Sequence, residues 1–259
     1  MKRYLTHDYD SKGLRHEACA KDFDGSVIWV SGASGTLGRA VAIHLADEGA
    51  TVIASGRDPG RLPQHDSIFP VVLDITDAAA TVAVAKNIVE RFGTIDGLVT
   101  STTIPVFGDF LELDDASWLS VIDTKLLGSL RPIRAVLPHF ISRETGRIVV
   151  LSGRGGIQPS PQHLPGSSVN AALNLLVQGL GVQYGPMGIR INAVSPGPIQ
   201  SPRSDAMIAA GNGKVPQTPI PGPGLPSDVA DAVAFLLSER SRFITGTNLL
   251  VDGGGRRTA

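Results

Sequence analysis

Short apolar runs recur along most of the chain, and most of them are apolar at consecutive rather than alternating positions. A strand that is covered on both faces has this pattern, which is typical of parallel sheets. The runs predict strands at Val27–Ser31, Thr51–Ser55, Phe69–Asp74, Ile95–Thr100, Gly146–Ser152, Ile189–Ser195 and Thr247–Asp252.

Amphipathic segments with helical spacing fill the gaps between these strands. They predict helices at Gly38–Ala50 and over 78–92, 114–140, 167–184 and 227–238. Strands that alternate with helices form a parallel sheet with right-handed crossovers and helices on both faces. The chain is therefore predicted to fold as a single doubly wound α/β domain of the Rossmann type, with about seven strands.

Two segments depart from this alternation. Residues 1–21 are polar and aperiodic, and are predicted to extend from a domain that spans 22–259. Residues 202–226 contain six prolines and four glycines, so they cannot form a continuous core helix. Because ligands of doubly wound folds bind beyond the carboxyl ends of the strands, we interpret 202–226 as a substrate loop rather than a linker.

The composition narrows the possible classes of function. Hydrophobic residues make up 42% of the 259 residues and the net charge is -1, which supports a large core and gives no reason to expect nucleic acid or an anionic membrane as partner. Cys19 is the single cysteine and the histidines lack metal-ligand spacing, so neither a disulfide framework nor a metal site is expected. The N-terminus is polar and no apolar run is long enough to span a membrane, so we expect a cytoplasmic protein.

A glycine-rich turn, SGASGTLG, stands between the first strand and the first helix, at Ser31–Gly38. Its glycines let the backbone approach a pyrophosphate, whose charge the N-terminus of the helix receives. The alternative is a tight turn without a ligand. We interpret the turn as a dinucleotide site with contacts from Gly32, Ser34, Gly35, Thr36, Leu37 and Gly38.

The end of the second strand indicates which dinucleotide is bound. A carboxylate there would accept a hydrogen bond from the ribose of NAD and repel a 2′-phosphate. This chain has Gly56 at that position and Arg57 beside it, and a guanidinium suits a phosphate. The residues therefore favour NADP(H) over NAD(H), although Asp58 lies close enough to weaken the preference, and an ordinary solvated arginine is the alternative.

Together with the glycine turn, three further segments, in order, carry a resemblance to the short-chain dehydrogenase/reductase family. They are LDITD, GIRINAVSPGPI and FITGTNLLVDGGG, which begin at Leu73, Gly188 and Phe243. The resemblance implies that Asp74 meets the adenine and that the Pro196–Gly197 turn lies under the nicotinamide. It also implies cofactor contacts from Ile75, Thr100 and Ile199. The glycines at 32, 35 and 38 are spaced as in the extended and atypical branches of that family rather than its classical members.

The catalytic positions of that family are filled differently here. Its members use a tyrosine as general acid/base, helped by a lysine, a serine and an asparagine. The resemblance places Gly166 at the tyrosine position, Asn170 at the lysine, Gly153 at the serine and Lys125 at the asparagine. Of the three tyrosines, Tyr4 and Tyr9 lie in the predicted N-terminal extension, and Tyr184 lies roughly 27 Å from Gly166 at the α-helical rise. Tyrosine-dependent catalysis of the usual kind is therefore excluded.

The lysine and asparagine have exchanged places, so the pocket keeps one ammonium and one amide. We hypothesise that Lys125 reaches the nicotinamide ribose in place of the missing lysine; the alternative is a coincidental surface lysine.

For the missing acid, His163 is a candidate because an imidazole can donate a proton near neutral pH, although loop histidines are commonly just solvated. Ser152, beside the vacant serine position, is a second substitute.

These observations leave three functions open. The first is an NADP(H)-dependent oxidoreductase that acts on a small-molecule carbonyl or alcohol through a non-standard active site. The second is a non-redox enzyme on the same scaffold, such as an isomerase, cyclase or lyase, and the third is an inactive dinucleotide-binding regulator or partner protein. The family resemblance further implies a homodimer or homotetramer built through the helices at 114–140 and 167–184.

Overall fold

The computed structural model describes residues 21–202, 204–205 and 218–255, and its seven strands form one parallel sheet in the order β3-β2-β1-β4-β5-β6-β7. This confirms the predicted doubly wound fold. The strands are β1 Val27–Ser31, β2 Thr51–Gly56, β3 Ile68–Val72, β4 Gly97–Thr100, β5 Gly146–Leu151, β6 Ile189–Pro196 and β7 Asn248–Val251. The strand order reverses between β1 and β4, so the carboxyl ends of these two strands flank the crevice in which such folds bind ligands.

Helices cover both faces of the sheet. They are α1 Thr36–Asp47, α2 Ala78–Phe92, α3 Asp115–Val121, α4 Gly128–Arg143, α5 Leu164–Tyr184 and α6 Pro226–Leu237. On one face α1 packs against α6, with Val41 and Leu45 in the same apolar cluster as Val229 and Val233. On the other face α2, α4 and α5 cover the sheet through a second cluster that includes Phe140, Leu173 and Trp29 of β1.

The helix predicted over 114–140 differs from the structure. Its middle turn, Ile122–Leu127, is a π-helix that separates α3 from α4 and carries Lys125. Pro132 in α4 has no N–H and cannot donate to the carbonyl one turn earlier, so regular α-helical bonding is interrupted at this point. A π turn places its side chains differently from an α turn and occurs frequently at functional sites.

The two irregular segments lie mainly outside the described residues. Of the predicted extension 1–21 the structure describes Lys21 alone, whose Nζ donates to the Asp47 carbonyl. Of the predicted substrate loop it describes both ends, and the second end, 218–225, leads into α6. Within the described part of the chain no helix is long and apolar enough to cross a bilayer.

Candidate active site

The glycine-rich turn brings the end of β1 and the start of α1 close together. Gly32 has φ +83°, and a Cβ on it would lie 2.6 Å from the Ser101 carbonyl oxygen. A Cβ on Gly38 would lie 2.3 Å from the Gly32 carbonyl oxygen. Both contacts are with backbone, so only glycine fits at either position without a shift of the main chain.

The N-terminus of α1 offers its backbone N–H groups to a ligand. The helix begins at Thr36 after Gly35, which provides no side-chain cap, and its first turn has no acidic residue. The first N–H groups of a helix have no intrahelical partner and carry a partial positive charge. Helix ends of this kind can bind phosphate groups, and the pyrophosphate contact at this turn stays a prediction.

The end of β2 is the position from which the sequence predicts a preference for NADP(H). A Cβ on Gly56 would lie 2.9 Å from Ser34 Oγ and 3.2 Å from Leu62 Cδ2, so an acidic side chain does not fit without rearrangement. Arg57 is exposed. The Asp58 carboxylate accepts a hydrogen bond from the Gly60 N–H and caps the short helix after β2. Asp58 is therefore engaged locally, and its effect on cofactor choice stays a prediction.

Asp74 lies at the predicted adenine end, near Arg57. Its Oδ1 accepts bonds from Thr76 N at 3.0 Å and Thr76 Oγ1 at 2.8 Å. These bonds, followed by the charges of Arg57 and Arg131, hold the pKa of the Asp74 carboxyl below its usual value. The charge of Arg57 thus reaches the Asp74 carboxylate at the predicted adenine end.

The residues between the predicted adenine end and the glycine-rich turn are buried. Ile75 lies against Gly128, where a Cβ would be 3.1 Å from Ile75 Cγ2. Thr100 and Thr102 are enclosed, and neither hydroxyl has a hydrogen-bond partner among the described residues. The predicted cofactor residues Ile75 and Thr100 are thus buried, and their contact with a cofactor stays a prediction.

A cavity of about 410 Å³ adjoins the start of α1. It is bounded by the turn after β6, by the loop after β4 and by the loop that leads into α5. Its lining residues are Thr36, Leu37, Thr103, Pro105, Phe107, His163, Pro196, Gly197, Ile199, Gln200 and Ser201. The predicted nicotinamide turn and the start of the glycine-rich helix thus face one cavity.

The region fits a dinucleotide on structural grounds. An uncapped helix N-terminus suits a pyrophosphate, and an exposed guanidinium at the end of β2 suits a second phosphate. The cavity continues from that helix N-terminus to the Pro196–Gly197 turn. For a metal the described residues provide no cluster of three or more His, Cys, Asp or Glu side chains.

Lys125 is buried, with 7% of its surface exposed, so the alternative of a surface lysine is wrong. Its Nζ donates to the Ser152 carbonyl oxygen at 3.1 Å. Burial lowers the pKa of Lys125 from 10.5 to about 8. The predicted contact of Lys125 with the ribose stays a prediction.

Asn170 and Ser152 meet beside Gly153, which the family resemblance assigns to the serine position. Ser152 Oγ donates to the Asn170 carbonyl oxygen at 3.1 Å. A Cβ on Gly153 would lie 2.7 Å from Asn170 Nδ2, so the amide occupies the space beside this glycine. Lys125 and Asn170 therefore converge on Ser152, but none of these residues is among those that line the cavity.

His163 occupies the space above Gly166. A Cβ on Gly166 would lie 2.0 Å from His163 Nε2 and 2.2 Å from Cε1. The ring stacks on Phe107, with centroids 4.4 Å apart, and its Nδ1 lies 2.9 Å from the Val106 carbonyl oxygen. Phe107 and Val106 belong to an irregular loop without periodic signal, so the sequence pattern does not single them out.

Comparison with known proteins places the chain among oxidoreductases. A family model described as enoyl-(acyl carrier protein) reductase matches residues 32–255. A probable short-chain type dehydrogenase/reductase of Bradyrhizobium diazoefficiens is 34% identical over 250 residues, which cover 90% of this chain and 88% of that protein. The oxidoreductase UcpA of Escherichia coli strain K12 is 30% identical over 247 residues, with 89% and 94% covered. The structure of ElxO with NADP bound has a TM-score of 0.84 and 27% identity, and the match covers 89% of this chain and 98% of that one.

Proposed function

Because the chain belongs to the short-chain dehydrogenase/reductase family, we propose that it is an NADP(H)-dependent oxidoreductase that acts on a small-molecule carbonyl or alcohol. The observation that carries this proposal is the cavity shared by the start of α1 and the Pro196–Gly197 turn. ElxO, which is similar in structure, has NADP bound, and this supports the same class of cofactor. When bound, the cofactor supplies or accepts a hydride.

The chain's own residues divide the binding between them. The N–H groups at the start of α1 receive the pyrophosphate, and Gly32 and Gly38 leave room for it. Arg57 binds the 2′-phosphate, and Asp74 contacts the adenine. Leu37 and the Pro196–Gly197 turn form an apolar part of the cavity wall, against which the nicotinamide ring would pack.

Substitution of Arg57 by alanine tests the cofactor preference. A charge-assisted bond to phosphate contributes about 1.5–3 kcal/mol, so NADPH affinity should fall roughly 10- to 100-fold, while NADH affinity should hardly change. Arg242→Ala is the matched control, since this exposed arginine lies near Gly146 and Ile189, at the opposite end of the sheet. Fluorescence titration of NADPH and NADH into the three proteins gives the affinities. Equal losses for both cofactors would contradict the assignment of Arg57, and absence of binding to the unaltered protein would contradict the proposed function.

The unusual residues at the catalytic positions support a second candidate, which is dinucleotide binding without redox turnover. Gly166 and Gly153 bear no functional side chain, Lys125 donates to the Ser152 carbonyl, and neither Lys125 nor Asn170 lines the cavity. A non-redox enzyme or a regulatory protein would have this combination. A screen of small carbonyls and alcohols, followed by the near-ultraviolet absorbance of NADPH, separates the two candidates: turnover supports the oxidoreductase, and binding without turnover supports the alternative.

We further propose that two or four copies associate through α4 and α5, the helices that the family resemblance indicates. Leu175 and Val182 on α5 are large apolar side chains with 70% and 79% of their surface exposed. Burial of such side chains against a second copy would be favourable. The double change Leu175→Asp with Val182→Asp should shift the mass measured by light scattering towards the monomer. The same double change at exposed Val72 and Val82, outside these helices, should leave the mass unchanged.

A further inference from the structure

We propose that His163 is the residue that exchanges a proton with the substrate oxygen, and that its ring takes the place of the side chain missing at Gly166. The inference rests on the proposed function, because a proton accompanies hydride transfer to a carbonyl. It is drawn from the position of the ring, from its hydrogen bond and from what else lines the cavity.

The first observation is the composition of the cavity wall. Among the described residues that line it, His163 is the one whose side chain type commonly exchanges a proton near neutral pH. The others are apolar, glycine, hydroxyl or amide residues, and none of them is acidic or basic. A proton needed at this cavity therefore comes from His163 or from water.

The second observation is the orientation of the ring. His163 Nδ1 lies 2.9 Å from the Val106 carbonyl oxygen, which can only accept a hydrogen bond. Nδ1 therefore carries the proton in the neutral ring, and Nε2 is the nitrogen that gains or loses one. The bond to Val106 and the stack on Phe107 hold the ring plane, and His163 lines the cavity. The ring is thus fixed, with Nε2 as the nitrogen left to exchange a proton.

The third observation is the mutual exclusion of the ring and a side chain at position 166. Side chains on a helix lean towards its N-terminus, so a residue at 166 would cover the turn where His163 stands. A Cβ there would overlap Nε2 at 2.0 Å. The His163 ring can therefore occupy this position only because residue 166 has no side chain.

The proton step follows from this arrangement. In the direction of reduction, NADPH would supply a hydride to the carbonyl carbon of the substrate and would thereby be oxidised to NADP⁺. The C=O π bond breaks, and its electron pair takes the proton from Nε2 of the His163 imidazolium, which gives the alcohol and the neutral ring. The ring regains its proton from water, so the net reaction consumes one carbonyl, one NADPH and one proton.

The first test uses His163→Asn with ethyl acetoacetate, a small ketone, as the probe. The asparagine Nδ2 can still donate to the Val106 carbonyl but cannot release a proton, so kcat should fall roughly 10²- to 10⁴-fold while the Kd for NADPH stays unchanged. His44→Asn is the matched control, because His44 lies on α1 and pairs with Asp231. A His163→Asn protein that binds NADPH normally and keeps the kcat of the unaltered protein would overturn the proposal.

The second test does not depend on turnover. Diethyl pyrocarbonate acylates unprotonated imidazole nitrogens, and mass spectrometry of peptides gives the rate at each histidine. NADPH at about ten times its Kd should slow the reaction of His163 roughly tenfold, and should leave the partly exposed His44 and His65 unaffected. Bound NADPH without protection of His163 would overturn this inference and leave the proposed function intact, whereas failure of NADPH to bind would overturn both.

Discussion

Alanine at position 38 should lower the free energy of unfolding by about 1–3 kcal/mol, the usual cost of overpacking. Because this turn is proposed to hold the pyrophosphate, its displacement should also weaken NADPH binding at least roughly tenfold. A tenfold weaker affinity corresponds to a loss of about 1.4 kcal/mol in binding free energy. The added Cβ would meet the Gly32 carbonyl oxygen at 2.3 Å, the Gly32 carbonyl carbon at 2.9 Å and Ala33 Cα at 3.1 Å. These are all backbone atoms, so no rotamer change relieves the overlap and the turn itself must move.

Gly35→Ala is the control for this prediction within the same turn. Its Cβ would lie 3.6 Å from the Gly32 carbonyl oxygen, an ordinary contact, and Gly35 has φ -83°. The loss of a favourable helix N-cap and the lower entropy of the unfolded chain oppose each other, so the free energy of unfolding should stay within about 0.5 kcal/mol. Urea denaturation and fluorescence titration measure both variants. Equal destabilisation by the two alanines would show that the close contact at Gly38 is not the cause.

The parts of the fold that were predicted well are those that local signals mark. The prediction for α2, 78–92, matches the structure because Asp77 caps the helix through the Ala80 N–H and Gly93 ends it in the left-handed conformation. For α1 the prediction was Gly38–Ala50 and the structure has Thr36–Asp47, since glycine at its start hides the helical pattern. The π turn at Ile122–Leu127 was missed because one wider turn leaves the hydrophobic pattern almost unchanged.

In the candidate site, too, the residues marked by local sequence signals could be predicted, and those placed by distant contacts could not. The glycine turn and Arg57 follow strand ends directly, so their place at the carboxyl edge of the sheet could be predicted from the chain. The position of the His163 ring could not, because it depends on the Val106 carbonyl and Phe107, which lie more than fifty residues away along the sequence. The burial of Lys125 was likewise hidden, since a π turn rotates the side chains that follow it.

Replacement of Lys125 by methionine should make the stability of the protein less dependent on pH in alkaline solution. Burial lowers the pKa of Lys125 from 10.5 to about 8, so between these values the folded protein binds fewer protons than the unfolded chain. The cost of burying this amine is fully present below pH 8 and disappears as the pH rises towards 10.5. One pKa unit corresponds to about 1.36 kcal/mol. Between pH 8 and pH 10.5 the free energy of unfolding of the unaltered protein should therefore rise by about 3 kcal/mol relative to that of Lys125→Met.

Whether Lys125→Met is more or less stable than the unaltered protein distinguishes a buried amine without a charged partner from one that forms an ion pair. No acidic side chain contributes to the pKa of Lys125, and the one acceptor among the described residues is the Ser152 carbonyl. Lys125→Met should therefore be more stable than the unaltered protein near pH 7, since an apolar side chain removes the desolvation cost, and the two should converge as the pH rises. Lys86→Met is the control, because Lys86 is 74% exposed on α2 and should show a constant difference. Urea denaturation of the three cofactor-free proteins from pH 7 to pH 10.5 measures this, and parallel curves for Lys125→Met and the unaltered protein would mean that the ammonium at position 125 stays charged in the fold.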